Sequence, residues 1–96
     1  VDLATVVDLV KERLGIRSNV RDTYITSIAN AVVTELDEEK GLAIDLANPY
    51  HLMFVVDYAT WRYQNRDSDG AMPRHLQYRL HNLMIHATGG GTNVQL

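Results

Sequence analysis

Leu3, Val6, Val7, Val10 and Leu14 follow one another at steps of 3, 1, 3 and 4, which sets them along one face of a helix. The pattern predicts a first helix from about Asp2 to Leu14, stopped by Gly15 because glycine takes a left-handed cap at no steric cost. Past a polar loop at Ser18 and Asn19, Ile25, Ile28, Ala29, Val32, Val33 and Leu36 step by 3, 1, 3, 1 and 3. A second helix over roughly Val20 to Glu39 follows, ended by Lys40 and Gly41.

Asn48 before Pro49 is a start signal, since Asn caps and proline's missing N–H is no loss in the first turn of a helix. The third helix is expected from Pro49 to about Arg66. Between Leu52 and Trp61 its only charge is Asp57, so it is apolar nearly all round, as a helix surrounded by others must be. The turn formers of Asp67 to Met72 come next. Pro73 then opens a fourth helix carrying Leu76, Leu80, Leu83, Met84 and Ala87, with Gly89 to Gly91 ending it as a hinge to a short, flexible tail. The fold class is all-α, a compact bundle of four main helices, with residues 1–88 as one helical domain and 89–96 as glycine-rich hinge and tail.

One stretch breaks the helical period. Leu42, Ile44 and Leu46 alternate with Ala43, Asp45 and Ala47, a period of two that fits an extended segment between the second and third helices. It reads either as a loop whose apolar side chains pack under the bundle or as an edge that pairs with another chain. Thr92, Val94 and Leu96 alternate in the same way in the tail.

Composition narrows the function more than the fold. The chain of 96 residues has a net charge of -3 and a pI near 5.7, where a protein gripping a duplex by its phosphates would cluster Lys and Arg and sit above about 9. The charge is uneven: residues 1–48 hold five basic and nine acidic groups, residues 49–96 four and three. Having no cysteine, the chain can form neither disulfides nor thiolate metal sites, which suits a reducing compartment. No apolar run approaches the ~20 residues of a membrane span, and no basic-then-apolar leader pattern is present, so the expectation is a protein made in a cytoplasm, with no membrane partner.

Catalytic patterns are missing. His75, His81 and His86 are spaced six and five apart, so none forms the i, i+4 pair that grips zinc. Gly89 to Gly91 follow a helix and lack the Lys-Ser/Thr of a phosphate loop. Asp37, Glu38 and Glu39 are contiguous, hence fan out around a helix as a solvated face rather than converging on magnesium. The expectation is a protein with no cofactor, no metal and no enzymatic activity. Asp57 alone demands explanation, because a buried carboxylate without a cation costs several kcal/mol. Its candidate partners are Arg62, Arg66, Arg74 and Arg79, in an ion pair across the third and fourth helices or in a contact with a neighbouring subunit.

The run Val55-Val56-Asp57-Tyr58-Ala59-Thr60-Trp61-Arg62-Tyr63-Gln64-Asn65-Arg66-Asp67, with Gly70-Ala71-Met72-Pro73 and Leu76-Gln77-Tyr78-Arg79-Leu80 behind it, resembles the small head-tail connector (adaptor, or head-completion) proteins of long-tailed bacteriophages and prophages. There a helix ends in a pattern like Tyr-x-Asn-Arg-Asp/Glu, a short acidic or glycine-containing loop follows, and a proline-led helix closes the bundle. The opening Asp8 to Ile16 is also similar to the family's start, and the likeness extends to about Ala87. The Leu42 to Leu46 segment, found in only some members, and the glycine-rich tail depart from it.

This resemblance implies a virion neck component: a ring of about a dozen subunits beneath the portal, joined by heterologous contacts. Such a ring extends the DNA channel and offers a surface to the next neck or stopper protein, with DNA passing transiently and without sequence-specific contact. A structural or interface corner comprising Asp57, Arg62, Tyr63, Asn65, Arg66, Asp67 and Arg74 is expected, in which Asn65, Arg66 and Asp67 lie where the family's motif ends its long helix. Arg66 would tie that corner to the fourth helix or a neighbour, Asn65 would cap the helix end, and Asn93, Val94, Gln95 and Leu96 would touch portal or neighbour. The competing reading is a small helical DNA-binding or regulatory module that lays a helix in the major groove, using Arg17, Arg21, Arg74 and Arg79, and the acidic total argues against it.

Overall fold

The structure, a computed structural model, describes residues 2–68 and 70–87. Four α-helices form in chain order: α1 Leu3–Leu14, α2 Asp22–Thr34, α3 Pro49–Gln64 and α4 Arg74–Ala87. Among the described residues there is no strand. The expected tail, including Gly89 to Gly91 and Asn93, Val94, Gln95 and Leu96, lies outside them.

Local chemistry sets the boundaries. The Asp2 carboxylate accepts the Thr5 N–H at 3.2 Å and starts α1. Gly15, at φ 74°, stops it; a side chain there would be strained whatever the space. The Asn48 side chain accepts the Tyr50 N–H at 2.8 Å, and Pro49 occupies the first turn of α3. Pro73 precedes α4, its carbonyl accepting from Leu76 and Gln77.

Helix α2 and the turn that continues it span Asp22 to Glu39 and end at Lys40, close to the expected extent, with two differences of detail. It begins at Asp22 rather than Val20, which is 86% exposed and so brings no burial energy to a longer helix. It also does not run uniformly to Glu39: Glu35–Glu39 form a π-helical turn. That wider turn ends with the Lys40 N–H on the Glu35 carbonyl, and Gly41 at φ 69° reverses the chain so that the Leu42 N–H reaches the Leu36 carbonyl at 2.8 Å. Leu36 and Leu42 are both fully buried as a result.

The period-two segment is a packed loop. Leu42 enters the core, with Ile44 and Leu46 packed against it. The N–H groups of Leu42, Asp45, Ala47 and Asn48 are bound within the chain, by Leu36 O, His51 Nδ1, Asp45 Oδ1 and Asp45 O respectively. With Leu42 buried and these four donors turned inward, the segment is held as a loop of the bundle.

Helix α3 is the centre. It packs against α1, α2 and α4, whereas α4 packs on α3 alone among the helices. Phe54, Val55, Val56, Tyr58, Ala59, Thr60 and Tyr63 are buried along it, meeting Val6 and Val10 of α1, Ile25, Ala29 and Val32 of α2, and Leu76 and Leu80 of α4 in one core. The bundle is therefore a three-helix core with α4 leaning on its central member.

Candidate functional site

Three polar clusters sit along α3, each built where a polar residue falls on or beside an apolar stripe. At mid-helix, the Asp57 carboxylate receives Arg79 from α4 at 2.6 Å on one oxygen and Arg13 from α1 on the other. Burial pushes this carboxyl's pKa upward, but hydrogen bonds from Arg79 and Arg13, with their positive charges, outweigh it and hold the group below the usual value. Arg79 also lies 5.5 Å from the Phe54 ring centre, so an aromatic face steadies the guanidinium that meets Asp57. Of the candidate partners only Arg79 pairs with Asp57; Arg62, Arg66 and Arg74 do not. The carboxylate joins three helices rather than two.

The second cluster forms where the π turn begins. Glu35 accepts the Tyr58 hydroxyl at 2.9 Å on one oxygen and Arg62 at 2.8 Å on the other. Burial, then the hydrogen bond and charge of Glu35, push the Tyr58 pKa up to about 12, with Arg62 opposing. Arg62 thus ties α3 to the π turn after α2 through Glu35 and has no part in the Asp57 pair.

The third cluster is the end of α3. The Asn65 side-chain amide donates to the Trp61 carbonyl at 2.9 Å, capping the helix end two residues before the expected Arg66 limit. Arg66 folds back onto its own helix, donating to the Tyr63 carbonyl at 2.6 Å with its guanidinium 4.3 Å from the Tyr63 ring centre. That corrects the expectation that it reaches the fourth helix within the subunit. On the same ring stand Arg21 at 6.0 Å and Tyr24 at 5.9 Å. Asp67 and Arg74 are exposed and enter no ion pair among the described residues.

Beside this corner lies a hollow of about 270 Å³ bordered by Tyr24, Trp61, Arg62, Asn65 and Arg66. Arg62 is the wall it shares with a second hollow along the same pair of helices, bordered by Ser27, Asn30, Thr34, Glu35 and Glu39. No three His, Asp or Glu side chains among the described residues converge as a metal-holding group, and no described helix is long and apolar enough to cross a membrane.

Arg13, Glu35 and Arg21 were not singled out by their sequence positions as partners of α3. For two of them a signal was present: Arg13 follows Val6 and Val10 at steps of 4 and 3, and Glu35 follows Ile28 and Val32 likewise, so each continues a buried stripe. Arg21 lies outside any periodic run.

Comparison with protein-family models, with curated proteins and with solved structures finds no match.

Proposed function

We infer that this protein is a structural component of a virion neck, assembling as a ring beneath the portal of a long-tailed phage or prophage and linking the filled head to the next neck protein. The observation that carries the reading is the resemblance of the segment from Val55 to Asp67, with Gly70 to Pro73 and Leu76 to Leu80 after it, to head-tail connector proteins. The corner supports it physically. Tyr63, Asn65 and Arg66 hold the end of α3 in one geometry through the bonds of Asn65 and Arg66, and a preorganised corner loses little conformational freedom on meeting a neighbour.

A ring also needs two unlike faces on each subunit. The subunit is unlike at the two ends of α2, with Arg21 and, at the same Tyr63 ring, Arg66 at one and Asp37, Glu38 and Glu39 at the other. A net charge of -3 suits a channel wall past which DNA slides without being held.

Sedimentation of the protein alone and with its cognate portal tests the reading. Co-sedimentation in a fixed stoichiometry with many copies per portal is expected. A mass that stays monomeric at every portal concentration, together with a salt-sensitive shift of labelled duplex, would replace the reading with DNA binding.

A further inference from the structure

The Tyr63 ring carries two guanidinium groups, Arg66 at 4.3 Å and Arg21 at 6.0 Å, and neither is within ion-pair distance of a carboxylate among the described residues. Both arginines are exposed. Two like charges beside one aromatic ring repel each other, and among the described residues the ring and, for Arg66, the Tyr63 carbonyl offset this. The adjoining hollow adds Tyr24 and Trp61 as walls and Asn65 as a polar group. Planar cations beside aromatic walls, in a recess open to solvent, make a receptor for carboxylates.

The chain carries such a ligand. Asp37, Glu38 and Glu39 project from the π turn, exposed and outside any ion pair among the described residues, with Lys40 the one cation following them. At a rise of 1.5 Å per residue they stand about 25 Å from Arg21, at the opposite end of the α2 rod, too far to meet Arg21 and the neighbouring Arg66 of their own subunit; the arginine whose hollow Glu39 borders, Arg62, is held by Glu35. At a helix C-terminus the backbone dipole adds to their negative charge.

We propose that the Arg21–Arg66 corner of one copy receives the Asp37–Glu39 end of a second copy. The contact rests on the reading of the chain as a self-assembling ring component, and it names the two unlike faces that such a ring requires. The protruding carboxylates enter the recess beside Tyr24 and Trp61. Their pairing with Arg21 and Arg66 removes the repulsion at both ends, so a subunit with one end engaged still presents the other.

Because the chain has no cysteine, two single-cysteine proteins report the contact: Ser68→Cys, which borders the hollow, and Lys40→Cys, next to the acidic end. The two are mixed and treated with a short bis-maleimide, and dimers linked between positions 68 and 40 are quantified by mass spectrometry. The linked dimer is expected to form, and to decline as salt is raised. Arg21→Glu with Arg66→Glu on the first protein, or Glu38→Arg with Glu39→Arg on the second, should each reduce it about tenfold or more, and both sets together should restore it.

Circular dichroism establishes that each variant is folded, and Arg21→Gln with Arg66→Gln serves as a milder pair that should give an intermediate yield. No 68–40 link, or a yield indifferent to the charge reversals, overturns the proposal. Oligomers that sediment unchanged in the charge-reversed proteins overturn this contact while leaving the ring. Charge-dependent linking in a particle that never exceeds a dimer retains the contact and overturns the ring.

Discussion

Replacing Asp57 by Asn keeps the shape of the side chain and removes the charge that Arg13 and Arg79 share. Asp57 is largely shielded, with its side chain 19% exposed, while Arg13 and Arg79 are 51% and 39% exposed. The exposure of the cations decides the magnitude. A fully buried pair costs about 3–5 kcal/mol to break, because the surviving charge is stranded; here both arginines can turn into water, and each solvent-exposed pair is worth under about 1 kcal/mol. Two partly shielded pairs on one carboxylate place the loss near 2 kcal/mol, or about 8–16 °C in Tm for a domain of this size. The same arithmetic sets the pH dependence. Since the folded pKa of Asp57 is lowered, its contribution is present above the ordinary Asp value of about 4 and disappears as pH falls through the folded value. Urea unfolding of wild type and Asp57→Asn at pH 7 and in acid reads both quantities. A gap near 2 kcal/mol at neutral pH that closes in acid is expected; a gap below about 0.5 kcal/mol, or one independent of pH, would refute the claim that this carboxylate fastens three helices.

Further consequences are open to measurement. Leu42→Ala removes a fully buried side chain from the loop under the bundle and should cost about 2–5 kcal/mol by chemical denaturation; a cost below 1 would mean that the loop is not part of the core. Tyr58→Phe deletes the hydroxyl held by Glu35 and should cost about 1–2 kcal/mol at neutral pH. Because burial and Glu35 push the Tyr58 pKa up to about 12, its contribution is present below the unfolded value of about 10 and is lost as pH rises through the folded value. Wild type and Tyr58→Phe should therefore converge in strong alkali. Asn48→Ala should lower stability by about 1 kcal/mol through the lost N-cap of α3, read as a shift in the denaturant midpoint without a change in slope.

Periodicity made α1, α2 and α4 legible because each buries a stripe along one face, as Val6, Val7 and Val10 do for α1, whereas α3, buried on several sides, was legible from its start signal and its lack of charge. Caps were legible too, since Asn48-Pro49 and Gly15 act through local backbone chemistry. The π turn was not, because its cause is tertiary: Leu36 and Leu42 both enter the core, and the extra residue per turn accommodates them where the 3.6 period alone would continue to Glu39. The extended look of Leu42 to Leu46 arose for the same reason, alternate side chains facing the core from a loop rather than from a sheet. At the α3 corner, Asn65 was legible as a cap because the interaction is local. The partner of Asp57 was half legible: Arg79 stood among four candidates on the later helices, while Arg13 is 44 residues away in the chain, and no spacing rule joins residues so far apart.

Electron microscopy of the protein mixed with its cognate portal addresses the connector reading most directly. Rotationally symmetric density stacked beneath the portal, resolved into repeated copies of a bundle with α3 at its centre, is the predicted result. Portal particles that remain bare at saturating concentrations of a folded protein would contradict it.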